Sequence, residues 1–317
     1  MFTIARRFLL ATSFLLISNF LAANEPSVNR KTITFWSDGY RLTGDIFRPS
    51  SVAPQEEIPG ILLVHGWGGN RTNLNRAYAP QFADLGFIVM TFDMRSWGDS
   101  DGFWVANSPL PATDQEKKVV IEGKQFRSIV NPVKQIEDAR AALAWLMGEP
   151  GLDKERIGIW GTSLGAGIAV VVAAHDPRVK TLVSQIGAVN NKASFKMIPD
   201  EMVRDWETKR ARGELSPYPG PESAAPGLRG YPDMIAMKSY DPAAHWEKVS
   251  VPTLIIDAED EELFDRAING QALYAELEPR TDAKYLVLPG NHYDIYRDDG
   301  YATALKAAQQ WFIRYLQ

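Results

Sequence analysis

The chain has 317 residues, 45% of them hydrophobic, and a formal net charge of −5. This length is enough for one large domain with a sizeable core. The acidic balance gives no indication of nucleic-acid binding. Because the sequence contains no cysteine, disulfides, a thiol nucleophile and a lipidated cysteine are excluded.

The N-terminus has the pattern of a secretory signal peptide. Arg6 and Arg7 precede an apolar run over residues 8–20, which is followed by small residues up to Ala23 and then by polar ones. This run is too short to span a bilayer comfortably. We expect cleavage after Ala23, a mature domain over 24–317, a periplasmic or secreted location, and no stable membrane insertion after cleavage. The alternative is a buried N-terminal helix.

Apolar runs with strand character alternate with helical patterns along the chain, which predicts an α/β fold with a mostly parallel central sheet flanked by helices. An antiparallel hairpin is expected first, because Asp38-Gly39 favours a tight turn between strands at 32–36 and 41–47. Further strands are predicted at 61–64, 87–92, 156–160, 181–186, 253–257 and 284–288, and helices at 76–85, 131–147, 166–174 and 301–316.

Two segments are too long to be simple connections, namely residues 98–130 and 189–247. Long insertions in compact domains are often functional. The second lies between the strands near 181–186 and 253–257 and is rich in proline and glycine over 216–230. We interpret it as a small cap over the site. The alternative is a surface elaboration that never touches substrate.

The segment Gly161-Thr-Ser163-Leu-Gly165 lies between a predicted strand and a predicted helix. A serine at such a turn adopts a strained conformation that small neighbours tolerate, and its hydroxyl is then held clear of the backbone. The pattern predicts that Ser163 is a nucleophile. A serine hydroxyl needs a base within hydrogen-bond reach, usually a histidine oriented by a carboxylate.

Four histidines are available for the role of base. His292 follows the last predicted strand, at the sheet edge from which Ser163 also emerges, and is therefore the predicted base. His65 is expected to support a loop, and His175 and His245 are expected to be structural. In the chain order serine, acid, histidine, the acid follows the strand at 253–257. Five acids lie there, and one must turn inward to orient His292: Asp257, Glu259, Asp260, Glu261 and Glu262.

Attack on a carbonyl creates an oxyanion that needs donors placed in advance. The backbone N–H of Leu164, next to the nucleophile, is one expected donor. The glycines of segment 65–69, which follows a strand, allow the backbone to expose its amides, and we assign the second donor to the N–H of Trp67. The alternative is a merely structural glycine turn. Six aromatic residues are candidates to line an apolar pocket, although they could equally be plain packing: Trp67, Trp97, Phe103, Trp104, Trp206 and Tyr293.

Taken together, these motifs resemble the α/β-hydrolase superfamily over nearly all of the mature chain. The matching segments are 65–69, 161–165 and Gly290-Asn-His292, together with Asp93-Met-Arg95, whose charged residues are expected to be structural. Within the superfamily the pattern is most similar to dienelactone hydrolase-like and prolyl-oligopeptidase-like esterases and peptidases. The resemblance implies the α/β-hydrolase fold and a Ser-His-acid triad with an oxyanion hole.

The triad acid departs from the pattern of this superfamily. Related sequences often carry His-Gly-x-x-Asp after the strand concerned, and the same register here places Glu261 at the aspartate position. Glutamate has the same charge and is one methylene longer, and it fills this position in some α/β-hydrolases. Asp260 is a competing candidate, because a register can be wrong by one residue.

The resemblance therefore implies a serine hydrolase that acts on a small-molecule ester through an acyl-enzyme, with no metal or organic cofactor, and the signal-peptide pattern adds the expectation that it is exported. Ser163, His292 and Glu261 are the expected catalytic residues, and Trp67 and Leu164 the expected oxyanion donors. One alternative is a serine peptidase of the same fold. Another is a catalytically inactive binding module.

Overall fold

The computed structural model describes residues 27–112 and 115–317, so the predicted signal peptide over 1–23 lies outside the described residues. Twelve strands occur in the described part of the chain: β1 Val28–Ser37, β2 Tyr40–Pro49, β3 Ile58–Val64, β4 Ile88–Phe92, β5 Phe103–Ala106, β6 Gly123–Phe126, β7 Ile129–Val130, β8 Leu152–Thr162, β9 Val179–Gln185, β10 Tyr231–Pro232, β11 Thr253–Ala258 and β12 Ala283–Leu288.

Eight of these strands form one sheet in the order β1-β2-β4-β3-β8-β9-β11-β12. Strands β4, β3, β8, β9, β11 and β12 are parallel to their neighbours in this series, whereas β2 is antiparallel to both β1 and β4. The predicted mostly parallel sheet is thus confirmed. Because the parallel strands end at the same edge, the loops after β3, β8, β11 and β12 meet there.

The opening hairpin forms as the sequence predicts. Asp38 and Gly39 both have positive φ, 49° and 78°, which is the conformation of the tight turn that matches the twist of two antiparallel strands. The ten residues of β1 pair with the ten of β2 without a bulge. This hairpin extends the sheet at the edge away from β11 and β12.

Nine α-helices occur in the described residues: α1 Arg71–Ala77, α2 Ala79–Ala83, α3 Pro132–Leu146, α4 Leu164–His175, α5 Asn191–Ser194, α6 Asp200–Ala211, α7 Met234–Ser239, α8 Gly270–Leu277 and α9 Asp298–Leu316. Of these, α3, α4 and α9 lie close to predicted helices, and α8 was not predicted. Short 3₁₀ turns lie at Pro221–Ser223, Pro242–Lys248, Arg266–Ile268 and Asp294–Tyr296. Within the described ranges, none of the helices combines the length and apolarity that a membrane crossing requires.

The prediction of one helix over 76–85 is wrong. Asn70 accepts a hydrogen bond from the N–H of Asn73 and caps a helix that begins earlier, at Arg71. Pro80 cannot donate to the carbonyl of Arg76, and its ring would clash there, so α1 ends and α2 begins with proline in its first turn. The segment therefore forms two short helices.

The core lies on both faces of the sheet. Alternate residues of β3 point to opposite faces, so Leu62 and Val64 pack on one side and Ile61 and Leu63 on the other. Helices α3, α4 and α8 cover the first face, and α1, α2 and α9 cover the second. The central strands are buried on both faces, which explains their nearly continuous apolar sequences.

The two long insertions pack against each other. Segment 98–130 contains the β5–β6 hairpin and β7, and β7 pairs in parallel with β10 of segment 189–247. The ring of Phe103 in the first segment stacks on that of Tyr218 in the second, with centroids 4.5 Å apart. The second segment contains short helices joined by turns, as predicted, and its contact with the first was not predicted.

Candidate active site

Ser163 lies in a sharp turn between β8 and α4. Its φ of 54° and ψ of −125° are in a region that residues with a side chain seldom adopt. The turn depends on close backbone approach: a Cβ on Gly161 would collide with the carbonyl of Gly165, and a Cβ on Gly165 would collide with the carbonyl of His65. The two glycines thus allow the strained turn that the sequence predicts.

His292 lies in the loop after β12 and pairs with Glu261 from the loop after β11. Its Nδ1 is 2.7 Å from Oε2 and 2.9 Å from Oε1 of the glutamate. The two side chains are 3% and 2% exposed, so the contact is shielded from water. Because a carboxylate is an acceptor, Nδ1 carries the proton and the lone pair of the neutral ring is on Nε2.

Glu261, and not Asp260, is the acid that contacts His292. The backbone N–H groups of Glu259 and Asp260 donate to the carbonyls of Leu288 and Gly290 and continue the pairing of β11 with β12. In this register the side chain of Asp260 is exposed and that of Glu261 is directed inward. The next residue, Glu262, accepts a 2.8 Å hydrogen bond from the backbone N–H of His292.

A second carboxyl group lies buried near this pair. Asp257, the penultimate residue of β11, is 2% exposed and accepts a 2.9 Å hydrogen bond from the hydroxyl of Tyr285. Its Oδ1 has no hydrogen-bond partner in the described part of the chain. Burial, with a smaller contribution from the charge of Glu261, raises the pKa of Asp257 to about 7. Two of the five candidate acids are thus buried, where the sequence led us to expect one.

The loop after β3 passes directly against the serine. A Cβ on Gly66 would lie 3.0 Å from the Cβ of Ser163, which places the next residue, Trp67, beside the nucleophile. Leu164 is the first residue of α4, and amides in the first turn of a helix have no partner within the helix. The two expected oxyanion donors therefore belong to segments that flank Ser163.

His65 has a structural environment. It is 3% exposed, its Nδ1 donates to the carbonyl of Gly66 at 2.9 Å, and its Nε2 accepts from the N–H of Met94 at 3.4 Å. Desolvation lowers the pKa of this imidazole, which is consistent with a neutral ring. Nδ1 thus braces the loop internally, and Nε2 connects it to the segment after β4.

His175 and His245 lie far from the serine and contact each other. Nε2 of His175 is 2.9 Å from Nδ1 of His245. His175 is the last residue of α4, whose N-terminus is at Ser163, so it lies roughly 18 Å away along the helix axis. Across residues 27–112 and 115–317, no group of three or more histidine or acidic side chains is arranged to hold a metal ion.

Asp93 and Arg95 both have the structural roles that the sequence led us to expect, each with a different partner. Arg95 is 1% exposed and binds Asp138 with its side chain and its backbone N–H. Asp93 accepts from both the backbone and the side chain of Arg71, at the start of α1. These buried contacts fix the segment after β4 under the loop of His65.

Tyr296 connects the histidine loop to the serine turn, which the sequence did not suggest. Its hydroxyl is 2.6 Å from Oγ1 of Thr162, the residue before the nucleophile. Its ring contacts that of His292, with centroids 6.1 Å apart. Burial raises the pKa of Tyr296, so this hydroxyl stays protonated. No motif marks the residue, because its role depends on a contact between distant segments.

A cavity of about 610 Å³ opens over these residues, and Ser163, His292 and Tyr296 are part of its lining. The insertion 189–247 reaches it, because Gly227, Leu228 and Arg229 are also part of the lining. Of the six aromatic candidates, Trp67 and Tyr293 line this cavity. The other four do not: Trp97 and Phe103 are buried elsewhere, Trp104 is on the surface, and Trp206 lies in α6.

The sheet, with its glycine-flanked serine and histidine–carboxylate pair at the carboxyl edge, defines an α/β hydrolase. The chain belongs to the X-Pro dipeptidyl-peptidase (S15) family, whose profile matches residues 38–226. A solved structure that is similar in fold is the alpha/beta hydrolase GrgF from Penicillium sp. sh18. It has a TM-score of 0.65 and 17% identity over 91% of this chain and 99% of that one.

Two curated relatives illustrate the range of similar sequences. An uncharacterized 31.7 kDa protein of Escherichia coli, from the traX-finO intergenic region, is 29% identical over 316 residues that cover 88% of this chain and 97% of the relative. The thiohydrolase aneE of Aspergillus aculeatus is 29% identical over 188 residues, which cover 57% of this chain and 51% of that protein.

Proposed function

We propose that the protein is an exported serine hydrolase that cleaves carboxylic esters through an acyl-enzyme. The observation that carries the proposal is the buried contact of 2.7 Å between His292 Nδ1 and Glu261 Oε2, in loops that share a cavity with Ser163. A carboxylate at this nitrogen leaves Nε2 as the proton acceptor and stabilises the imidazolium formed when the serine attacks.

In the first half of the reaction, Oγ of Ser163 attacks the carbonyl carbon of the ester while Nε2 of His292 takes the hydroxyl proton. The amides of Trp67 and Leu164 hold the negative oxygen of the tetrahedral intermediate. His292 then gives the proton to the leaving alcohol, and an acyl-serine remains. In the second half, water repeats the attack with His292 as base, and the acid product is released with the serine restored.

The proposed triad is tested with an active-site probe. A fluorophosphonate should label the wild-type protein at Ser163, and labelling should vanish in Ser163→Ala and His292→Ala. If the wild-type protein folds and does not react, the chain is a binding module on a hydrolase fold. Hydrolysis of p-nitrophenyl butyrate should be lost in the same two variants.

A peptidase activity is the second candidate, and the S15 family match is the observation that favours it. Recognition of a free substrate N-terminus needs an acidic side chain for the ammonium group. No aspartate or glutamate is among the described residues that line the cavity. We expect turnover of short acyl esters and none of an X-Pro p-nitroanilide, and the reverse preference would establish the peptidase.

Thioesters belong in the same assay, because an acyl-enzyme can form from either kind of substrate and one relative is named a thiohydrolase. The proposed export is tested separately. N-terminal sequencing of protein recovered from the periplasm or medium should begin at Asn24. Recovery of intact chain in the cytoplasm would contradict the export proposal and leave the hydrolase proposal unaffected.

A further inference from the structure

Two arginines line the cavity that contains Ser163. Arg76 lies in the last turn of α1, the helix that follows the glycine-rich loop of Trp67, and Arg229 lies in the insertion. They come from different segments of the chain, and both are exposed at the cavity. On the proposed function, ester hydrolysis at Ser163, both arginines border the substrate.

Neither guanidinium group has a partner among the described residues. No residue of the described ranges forms an ion pair or hydrogen bond with the side chain of Arg76 or Arg229. Other arginines near the site have carboxylate partners: Arg71 contacts three aspartates, and Arg95 binds Asp138. The charges of Arg76 and Arg229 are therefore available to a ligand.

The local charge of the cavity is opposite to that of the whole protein. The chain has a net charge of −5, with 39 acidic residues. The described part of the cavity lining nevertheless contains two arginines and no carboxylate side chain. Glu261 is not among the lining residues, and its charge is directed to His292. Within an otherwise acidic protein, this cavity attracts anions.

Arg229 has a fixed backbone position relative to the reacting groups. Its carbonyl accepts a 2.8 Å hydrogen bond from Nε1 of Trp67, and its Cβ lies against Gly68, where an added Cβ would be 3.0 Å away. The contact connects the segment of Arg229 to the loop that holds one proposed oxyanion donor. The backbone from which the Arg229 side chain extends is thus fixed relative to the loop beside Ser163.

We propose that Arg76 and Arg229 bind a free carboxylate carried by the substrate, so that the preferred substrates are esters with a second, ionised carboxyl group, such as half-esters of dicarboxylic acids. Guanidinium groups suit this role, because their planar donors match the two oxygens of a carboxylate. Ser163 would then attack the esterified carboxyl group of the substrate while the two arginines bind its free carboxylate.

Matched substrates test the proposal. Mono-p-nitrophenyl esters of succinic, glutaric and adipic acid are compared with the p-nitrophenyl esters of the neutral acids of equal chain length. We expect kcat/KM to be about tenfold higher for at least one ionised member than for its neutral partner, and this preference should fall as salt is added. A second pair, 4-acetoxybenzoate and phenyl acetate, tests whether the carboxylate lies on the alcohol side.

The variants Arg76→Gln and Arg229→Gln should each lower kcat/KM for the ionised ester about fivefold to tenfold more than for its neutral partner. Arg212→Gln is the control, because Arg212 is an exposed arginine of the insertion that pairs with Glu214 and does not line the cavity. Equal rates on ionised and neutral esters, or equal losses on both in the two variants, would overturn the inference.

The inference can fail separately from the proposed function. If the fluorophosphonate labels Ser163 and neutral esters are cleaved without preference for the ionised ones, ester hydrolysis stands and the carboxylate site is wrong. Binding to Ser163→Ala, measured by calorimetry with monoethyl adipate and diethyl adipate, tests the arginines without chemistry. Tighter binding of the monoester, lost in Arg229→Gln, would support the site even if no ester were turned over, and equal binding would refute it.

Discussion

The indole Nε1 of Trp67 donates a hydrogen bond of 2.8 Å to the backbone carbonyl of Arg229. This contact joins the loop after β3, which passes against Ser163, to a segment 162 residues further along the chain. The insertion thereby forms one wall of the cavity.

Trp67→Phe keeps an aromatic ring and removes the donor. We expect a free energy of unfolding lower by about 1 kcal/mol, because one hydrogen bond is lost. We also expect kcat/KM for esters to fall about threefold to tenfold, because the insertion is no longer held in place against the loop after β3. Trp104→Phe is the control, because this indole is 47% exposed and outside the cavity. Equal behaviour of the two variants would show that the contact is unimportant.

Glu261→Gln removes the negative charge beside His292 with little change in shape. We expect kcat for ester hydrolysis to fall about 10²-fold to 10⁴-fold, because the imidazolium formed in the transition state loses its stabilising partner. Asp260→Asn removes the same charge from the adjacent, exposed side chain and should change kcat less than twofold. A larger loss in Asp260→Asn than in Glu261→Gln would reverse the assignment of the acid.

Asp257 should make the stability of the protein depend on pH. Its pKa is about 7 in the folded protein, against an ordinary value of 3.8. Between these values the folded state retains a proton that the unfolded state releases, so the free energy of unfolding falls as the pH rises from about 4 to 7. Asp257→Asn has no proton to release, and this decline should disappear.

Denaturant unfolding at about pH 4 and about pH 8 measures the effect. Relative to wild type, Asp257→Asn should be more stable at the higher pH than at the lower by about 2–4 kcal/mol. Asp260→Asn is the matched control, because it makes the same substitution on the surface of the neighbouring loop. Parallel pH curves for wild type and Asp257→Asn would show that the buried carboxyl is not responsible.

The hydrogen bond between Tyr296 and Thr162 should couple the histidine loop to the serine turn. Tyr296→Phe and Thr162→Val each leave the other polar group buried, and each should lower the free energy of unfolding by about 1–3 kcal/mol. The double variant should lose less than the sum of the two, with a coupling energy of about 1 kcal/mol in a double-mutant cycle. Additive losses would indicate that the two hydroxyl groups act independently.

The sequence predicted those features that depend on local pattern. The hairpin turn at Asp38-Gly39, the alternation of strands and helices, and the turn around Ser163 all rest on residues that are adjacent in the chain. The break at Pro80 is also local, and we missed it because the apolar pattern continues across the proline.

The remaining features depend on contacts between distant segments. The pairing of β7 with β10 joins Ile129 to Tyr231, and neither strand exceeds two residues. The buried Asp257 accepts its hydrogen bond from Tyr285 in the neighbouring strand. Glu261 is the acid that the resemblance implies, but its choice over Asp260 rests on the register between two separate loops. Such pairings leave no periodic signal in the sequence.

The two consecutive glutamates hold His292 at two points, Glu261 at the ring and Glu262 at the backbone. These two hydrogen bonds thus connect the histidine loop to the acid loop. Leu263, the next residue, is 44% exposed and borders the cavity. A bulky acyl group pressing on Leu263 would displace the acid and the base together, preserving their mutual distance while changing their alignment with Ser163. Poorly shaped substrates would then be discriminated against in kcat as well as in binding.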